Sequence, residues 1–335
     1  MTHLHAIDLH THIIPHELPA YAGAAAEQSW PSITHGDCGH RHVIIGERAF
    51  RTFSPSSWDP AQRIADMDRM GIGRQVLSPM PELLSHWFSA GDALSLGHFI
   101  NDYIAGLVAT SPSRFIGLGM VPLQDPALAA RELPRLLAAG LAGVEIGSNI
   151  NGLPIGDPSL LPFFAAAEDL GVPIFVHALK PAGRDRLVGP PGLEQIIAFP
   201  GETGLAIASL ITGGTLERHP RLKLAFNHGG GTIGLLLARL DYIWSISPQL
   251  SKTIKRRPIE LARGLYYDTL VYDAATLRFL IDVLGETQFI VGTDYPFSIY
   301  DRSPIARIET LELPGEQRDL LISGNARRFL GIGSG

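Results

Sequence analysis

Ile7-Asp8-Leu9-His10-Thr11-His12 is the stretch that decides the fold prediction, because apolar and polar side chains alternate along it. A period of two predicts a β-strand, since successive side chains of a strand point to opposite faces. We expect the apolar positions, Ile7 and Leu9, to face surrounding helices. The polar positions, Asp8, His10 and His12, would then face the interior of a sheet closed on itself.

Seven further short apolar runs follow, and amphipathic helical segments separate them. This rhythm is typical of repeated βα units with a parallel sheet. Helix start signals agree, because an aspartate beside a proline precedes several segments, as in Asp59-Pro60 and Asp125-Pro126. Eight strands close a barrel, so the sequence predicts an α/β fold of the (β/α)8 TIM-barrel type. The predicted strands cover residues 6–13, 74–78, 115–122, 143–147, 173–177, 223–228, 265–269 and 289–293.

Two long segments interrupt this rhythm. Residues 18–57 are rich in Gly, Pro and Ser and contain a β-like piece at 42–45, which indicates a small inserted arm after strand 1. Residues 178–200 follow the fifth strand and contain several turn residues. Both would lie over the carboxyl ends of the strands, where barrels build active sites. No linker composition divides the chain, so we predict one domain over residues 1–335 with an insertion at approximately 18–57.

Composition excludes several classes of protein. A net charge of -6 argues against nucleic-acid binding, which needs a clustered positive surface, and we interpret the one basic run, at 252–257, as a solvated loop. The single cysteine, Cys38, cannot form an internal disulfide. No signal peptide and no uninterrupted apolar stretch long enough for a membrane is visible. We therefore predict a cytoplasmic protein without nucleic-acid or membrane partners.

Metal-ligand side chains end several predicted strands. His10 and His12 could share an ion, and His177, His228 and Asp294 end the fifth, sixth and eighth strands. Because the carboxyl ends of barrel strands meet at one mouth, we expect these five side chains to converge. An isolated His-x-His is weak support for a metal, so the prediction rests on the whole set.

Three imidazoles and one carboxylate suit zinc, although manganese, iron and cobalt accept the same donors. Such an ion lowers the pKa of a bound water to about 7. His228 need not be a ligand, because a neutral imidazole beside that water could act as the general base, and the alternative is a capping or core role beside the glycines at 229–231. Asp294 could both bind the metal and hold the proton network. No Gly-Lys-Ser/Thr follows the glycines, so we discount a phosphate loop.

These motifs resemble the decarboxylase branch of the amidohydrolase superfamily, and within it the 2-amino-3-carboxymuconate-6-semialdehyde decarboxylases. The resemblance is carried by Asp8-Leu-His10-Thr-His12, by His177 at a strand end, by Asn227-His228-Gly-Gly-Gly and by Gly292-Thr-Asp294-Tyr-Pro-Phe297. It extends over almost the whole chain, including segments at 36–37, 50–51, 58–68, 121–125 and 323–326. It implies a TIM barrel of the metal-dependent hydrolase type.

The resemblance also implies roles for individual residues. One zinc ion would be held by His10, His12, His177 and Asp294. His228 would assist the metal-bound water. Arg51 and an Arg239 supplied by a neighbouring subunit would bind substrate carboxylates, which implies a homodimer. From the sequence alone, the alternative for Arg239 is an exposed helix residue paired with Asp241.

The chain departs from the family pattern in two places. Family members carry aromatic residues after the fifth strand that flank the substrate, whereas residues 178–198 contain none and offer Lys180 and Arg184 instead. Glu145 stands on the fourth strand, from which binuclear relatives bridge a second metal, typically by a modified lysine. No lysine is available there, so Glu145 is either part of a second metal site or a buried, hydrogen-bonded carboxylate.

Three functions remain open. The first is metal-dependent non-oxidative decarboxylation of an unsaturated or aromatic carboxylic acid, with a small-molecule carboxylate as substrate. The second is hydrolysis or hydration by metal hydroxide, acting on a ring-cleavage product or a lactone. The third is a metal-binding barrel without catalysis that serves as a binding or scaffold protein.

Overall fold

The computed structural model describes residues 5–23, 30–46, 48–190 and 192–333, and eight parallel strands form its central sheet. Backbone hydrogen bonds from Leu9 N to Val291 O (2.8 Å) and from His12 N to Tyr295 O (2.7 Å) join the first strand to the chain at and beyond the last. The predicted (β/α)8 barrel is therefore confirmed. Its strands are β1 (Ile7–Ile13), β2 (Arg74–Pro79), β3 (Phe115–Gly119), β4 (Gly143–Gly147), β5 (Ile174–His177), β6 (Leu224–Phe226), β7 (Tyr266–Asp268) and β8 (Phe289–Ile290).

Helices surround the sheet, and the aspartate start signals hold. The Asp59 carboxylate accepts from Ala61 N at 2.8 Å and the Asp125 carboxylate accepts from Leu128 N at 2.9 Å. The helices are α1 (Pro60–Met70), α2 (Ala90–Thr110), α3 (Pro126–Ala138), α4 (Leu161–Leu170), α5 (Ala198–Thr212), α6 (Thr215–Arg218), α7 (Ile233–Ile246), α8 (Pro248–Thr253), α9 (Pro258–Ala262), α10 (Ala274–Leu284), α11 (Pro304–Glu309), α12 (Gly315–Asp319) and α13 (Asn325–Leu330), with a π-helical turn at Leu320–Gly324.

The predicted arm lies between β1 and α1. It is an antiparallel sheet of three strands, Ser32–His35, Arg41–Ile45 and Arg48–Phe53. Val43 and Phe53 are buried in the main hydrophobic core, so the arm is anchored to the barrel. A two-stranded sheet, Asn149–Ile150 with Leu153–Pro154, follows β4.

The predicted orientation of the first strand was wrong in one respect. A β-bulge shifts its register, since Asp8 pairs with Gln75 whereas Thr11 pairs with Leu77. Ile7 and Leu9 therefore pack inside the barrel, in a cluster to which five other strands contribute. Asp8 lies on the outer side, where its carboxylate accepts from the Gln75 amide (3.2 Å) and the Thr293 hydroxyl (2.7 Å).

The bulge follows from the polarity of Asp8. A carboxyl group needs hydrogen-bond partners when it is buried, and the interior around Ile7 and Leu9 is apolar. The layer between β1 and α1 supplies partners, because the fully buried Arg63 of α1 donates to Gln75 at 3.1 Å. An extra residue in β1 then allows both His10 and His12 to face the interior.

The amino end of the barrel is closed by the last helix. Ala326, Phe329 and Leu330 of α13 belong to the same interior cluster as Ile7 and Leu9. The carboxyl end is therefore the open mouth of the barrel.

One helical stretch, Leu193–Thr212, is long and apolar enough to meet the length and composition criteria for a membrane span. It includes α5, whose residues Ile207, Leu210 and Ile211 are fully buried in the core. A helix that packs on a barrel core has an apolar side, so its composition can meet the criteria for a membrane span.

Candidate active site

Four predicted ligand residues meet at the mouth of the barrel. His10 and His12 come from β1, His177 ends β5 and Asp294 follows β8, and one ligand atom of each lies within 4.8 Å of the others. The Nε2 atoms of His10 and His12 are 3.1 Å apart and stand 3.2 and 3.1 Å from Asp294 Oδ1. Donors at about 2.1 Å from a tetrahedral ion lie roughly 3.4 Å from each other, so these spacings suit one metal ion.

The second ring nitrogen of each histidine is held by a protein acceptor. Nδ1 of His10 donates to Asp268 Oδ2 (2.6 Å), Nδ1 of His12 to Pro79 O (3.1 Å) and Nδ1 of His177 to Ala178 O (2.8 Å). These bonds assign a proton to Nδ1 of each ring, so the lone pair of each neutral ring lies on Nε2. All three rings therefore present a metal-ligating atom to the same point.

The donor set fits a metal ion for a second reason. His177 Nε2 and Asp294 Oδ1 are buried polar atoms without a hydrogen-bond partner among the described residues. Buried polar atoms normally have hydrogen-bond partners, so two unpartnered donors at one point fit a site for a cation. Nitrogen and oxygen donors of this kind suit zinc and other first-row divalent metals.

Electrostatics divide the three imidazoles. Burial lowers the pKa of His12 to about 4, and it lowers the pKa of His177 well below its ordinary value. For His10, burial opposes the charge, but the Asp294 and Asp268 carboxylates outweigh it and raise the pKa to about 10. His12 and His177 are therefore neutral ligands at neutral pH, whereas His10 must lose a proton to coordinate an ion.

Close packing of the chain allows this convergence. A Cβ on Gly292 would lie 2.9 Å from the Cβ of His10 and 2.6 Å from that of Asp268, so only glycine lets the end of β8 pass there. Gly231 has φ of +61°, and a Cβ on it would lie 1.9 Å from Pro200 O. The glycines after His228 therefore form a tight turn against α5.

His228 lies beside the four donors. Its ring centroid is 5.8 Å from those of His10 and His177, and its backbone N donates to Asp268 Oδ2 at 3.0 Å. Burial lowers the pKa of His228, although the Asp268 carboxylate opposes that shift. A neutral imidazole that lines the mouth can accept a proton from a molecule bound there.

A cavity of about 380 Å³ opens above the donors. His177, His228 and Asp294 form part of its floor. Arg51 of the arm lines it as well, with its guanidinium 4.1 Å from the centroid of the Phe297 ring and 3.0 Å from Glu82 Oε1. Phe297 in turn stacks on His12 at 4.8 Å between centroids. The cavity therefore combines metal donors, a proton acceptor and a cation.

Arg239 lies elsewhere on the same chain. It is exposed on α7 and lines an apolar groove between α5 and α7 rather than the cavity. Within the described residues no ion pair joins it to Asp241, whose carboxylate accepts from Arg257 instead. Arg239 can contribute to a cavity only if that cavity belongs to another copy of the chain.

The loop after β5 is clamped at its start. Glu202 of α5, which is 7% exposed, accepts from Ser148 Oγ, Asn149 Nδ2 and the backbone N of Ala182. Between these anchors Lys180 adopts a left-handed backbone with φ of +44°. The aromatic surface that the loop lacks is supplied from other segments, by Phe50, Trp87 and Phe199.

Glu145 is buried beneath the ligands. Its Oε2 lies 3.8 Å from His12 Nδ1, and burial raises the pKa of its carboxyl group well above the ordinary value. A protonated carboxyl is a poor metal ligand. These observations favour a buried, neutral carboxyl over a second metal site. The hydrogen bonds that this alternative expected are not found, because neither Glu145 oxygen has a hydrogen-bond partner among the described residues.

Sequence reasoning missed several residues of this site, and Asp268 and Phe297 are the two nearest to the metal donors. Asp268 orients His10 and the backbone at His228, and Phe297 separates His12 from Arg51. Asp268 carried a signal, because it is a carboxylate near the end of the predicted seventh strand. Phe297 belonged to the Gly-Thr-Asp-Tyr-Pro-Phe motif, but nothing in its own position indicated a contact with Arg51.

The chain is similar in sequence to proteins of known family. The family model described as Amidohydrolase matches residues 7–332. Over 329 residues the chain is 37% identical to the 2-amino-3-carboxymuconate-6-semialdehyde decarboxylase of Dictyostelium discoideum, which covers 97% of this chain and 91% of that protein.

Solved structures agree with this assignment. The 5-carboxyvanillate decarboxylase from Sphingomonas paucimobilis superposes with a TM-score of 0.80 at 27% identity, over 98% of this chain and 100% of that one. The 5-carboxyvanillate decarboxylase from Novosphingobium aromaticivorans, complexed with manganese and 4-hydroxy-3-methoxy-5-nitrobenzoic acid, superposes with a TM-score of 0.72 at 26% identity, over 81% of this chain and 80% of that one. The chain therefore belongs to the amidohydrolase family, and these relatives are decarboxylases.

Proposed function

We propose that the chain is a metal-dependent, non-oxidative decarboxylase of an unsaturated or aromatic carboxylic acid. The observation that carries the proposal is a set of four donors within 4.8 Å of one another. Two of them, His177 and Asp294, line a cavity that Arg51 also lines. The relatives named above are decarboxylases, which favours loss of carbon dioxide over hydrolysis.

The proposed ligands are His10, His12, His177 and Asp294, and the proposed ion is zinc. Zinc prefers imidazole nitrogen and carboxylate oxygen donors, and this site offers three imidazoles and one carboxylate. Manganese is the competing ion, because a related decarboxylase was crystallised with it. When bound, such an ion supplies Lewis acidity that polarises a substrate oxygen or a water molecule.

Arg51 is the proposed substrate-binding residue. One guanidinium nitrogen, Nη2, donates to Glu82, and the remaining N–H groups can donate to a carboxylate in the cavity. Glu82 and the Phe297 ring fix the orientation of the guanidinium. This arrangement holds the acid with its conjugated carbon skeleton toward the metal donors.

His228 is the proposed proton-transferring residue, with Asp294 beside it. In the reaction the bond between carbon and the carboxyl group breaks, its electron pair stays on the conjugated carbon, and a proton replaces the departing carbon dioxide. Burial keeps His228 neutral at neutral pH, so it can take up a proton and deliver it to that carbon. Asp294, whose pKa is held low by His10 despite its burial, stays ionised and stabilises positive charge at the floor.

A homodimer would complete the site. The face formed by α5 and α7 exposes five large apolar side chains, and clustered exposed apolar residues are typical of protein interfaces. They are Leu205, Leu235, Leu236, Ile243 and Ile246. A second copy packed on this face would cover the groove that Arg239 lines, and Arg239 would then reach a carboxylate in the cavity of the partner subunit. The cytoplasmic location and the single-domain organisation stay predictions.

Carbon dioxide release tests the proposed chemistry. The zinc-loaded protein, incubated in ¹⁸O-labelled water with candidate aromatic and diene acids, should release carbon dioxide without incorporating label into the remaining product. Uptake of the label with retention of the carboxylate would instead establish hydrolysis or hydration. Absence of both with a broad acid panel would favour the scaffold alternative.

Mixed dimers test the role of Arg239. A His177→Ala subunit keeps Arg239, and an Arg239→Ala subunit keeps the metal donors, so each variant alone should be inactive. Random mixing of equal amounts should restore about a quarter of the parent activity, because half of the dimers are mixed and one of their two sites is complete. No recovery on mixing would reject a contribution across subunits.

A further inference from the structure

The cations around the cavity differ in whether a carboxylate compensates them. Arg51 pairs with Glu82 at 3.0 Å, and Arg184 approaches Glu194 at 4.0 Å. Among the ion pairs formed within the described residues, none includes Lys180, which also lines the cavity. The cavity wall after β5 therefore carries a positive charge that the protein itself does not neutralise.

Lys180 is held over an aromatic ring at this wall. Its Nζ lies 3.9 Å from the centroid of the Trp87 ring, a cation–π contact, and both residues line the cavity. Burial lowers the pKa of the Lys180 ammonium group, and no nearby carboxylate raises it again. An anion bound in the cavity would restore the interaction that the ammonium group loses on partial burial.

The backbone of Lys180 has a conformation that this residue does not favour by itself. Its φ of +44° is unfavourable for a residue with a Cβ, and such conformations persist only where neighbours determine them. The neighbours do so here, because Leu179 N donates to the Ser148 hydroxyl oxygen at 3.0 Å and Ala182 N donates to the Glu202 carboxylate at 3.0 Å. The loop thus fixes the position of this ammonium group.

We propose that Lys180 is a specificity-determining residue that binds a second anionic group of the substrate, one that the reaction leaves in place. The preferred substrates are then acids with two anionic groups, one directed to Arg51 and the metal donors and the other to Lys180 and Trp87. This inference rests on the proposed decarboxylase function. It concerns only substrate choice, so bond breaking and proton transfer follow the scheme above unchanged.

Binding of two small acids to the zinc-loaded protein tests the inference without turnover. Isophthalate and benzoate share a ring, but only isophthalate carries a second carboxylate. Isothermal titration of the parent protein should give at least about tenfold tighter binding of isophthalate, as expected for one added charge-assisted contact. Equal affinity of the parent for both acids would overturn the proposal.

Variants separate charge from packing. Lys180→Met keeps an unbranched chain over Trp87 and should reduce the isophthalate-to-benzoate affinity ratio to about one. Lys180→Arg should keep most of the ratio, and Lys252→Met, on exposed α8, should not change it. A ratio that survives in Lys180→Met, or an equal loss of affinity for both acids, would show that Lys180 serves only to support the loop.

Turnover separates this inference from the proposed function. With 5-carboxyvanillate, which has two carboxylates, and 2,6-dihydroxybenzoate, which has one, Lys180→Met should raise the KM for the first acid about tenfold more than for the second. If no acid releases carbon dioxide but the affinity ratio depends on Lys180, the decarboxylase proposal fails and the anion site stands. If carbon dioxide is released and the ratio is absent, the opposite holds.

Discussion

The floor and the outer wall of the cavity are built in different ways. The floor consists of side chains from β1, from the end of β5 and from the segment after β8, and each ligating ring is held by a second hydrogen bond to Asp268 or to a backbone carbonyl. The outer wall comes from the arm and from the loop after β5, with Arg51, Lys180 and Arg184 as its cations. In the proposed function the strands therefore determine the reaction type, whereas the loops determine the choice of substrate.

Removal of a ligand should abolish the function of the floor. His177→Ala deletes one of four donors, so we expect loss of the bound metal and a decrease in kcat/KM of at least about 1,000-fold with every acid. Metal content by atomic emission spectroscopy and steady-state kinetics measure these effects. A variant that keeps both metal and activity would show that the ion, if bound, lies elsewhere.

The support beneath the floor should matter less than the ligands. Asp268→Asn removes the charge that holds His10 Nδ1, and we expect a decrease of about 10- to 100-fold in metal affinity. Competition with a chelator measures the affinity, and circular dichroism controls for folding, because Asp268 also accepts from the backbone at His228, Gly229 and Leu270. An unchanged affinity would contradict the proposed role of Asp268.

Proton competition at the floor should give a smaller, graded effect. In the metal-free site the pKa of His10 is raised to about 10, so this residue is protonated at pH 6–8 and must release its proton to an entering ion. His12, with a pKa lowered to about 4, releases none in this range. Apparent metal affinity should therefore rise about tenfold per pH unit, and titrations in buffers of different ionisation enthalpy should show about one proton released per ion. A slope of zero between pH 6 and 8 would contradict this assignment.

A change in the outer wall should give the smallest effect. Glu202→Gln keeps the shape of the anchor but weakens its hydrogen bond to Ala182 N. We therefore expect KM to rise about threefold, with kcat and metal affinity unchanged. Steady-state kinetics with an acid that the enzyme decarboxylates measure KM and kcat. If kcat fell by more than KM rose, the wall would also participate in the chemistry. The distinction between floor and wall would then fail.

Local sequence patterns were sufficient for the floor but not for what supports it. The period-two pattern and the strand ends predicted the convergence of His10, His12, His177 and Asp294, because barrel geometry brings all carboxyl ends to one mouth. They did not predict the bulge in β1, which depends on the partners that Arg63, Gln75 and Thr293 provide for Asp8. Those contacts join residues far apart in the chain, so no local pattern reveals them.

The outer wall was the less predictable region. The sequence showed that residues 178–198 lack aromatic side chains and contain Lys180, but not where its ammonium group lies. That position depends on Glu202, Ser148 and Asn149, which fix the loop from α5 and from the segment after β4. Trp87 reaches the same wall from the segment after β2. Loop conformation of this kind is determined by tertiary contacts rather than by local preference.

The ring of Phe297 lies between two groups that belong to separately anchored parts of the molecule. One face packs on the imidazole of His12, in the barrel, and the guanidinium of Arg51, in the arm, lies over the ring. The Phe297 ring thus sets the distance between the Arg51 guanidinium, the proposed anion-binding group, and the His12 ring of the floor. Acids whose length matches this distance would fit best. A smaller side chain at position 297 would let the arm lie closer to His12 and would shift the substrate preference toward shorter acids.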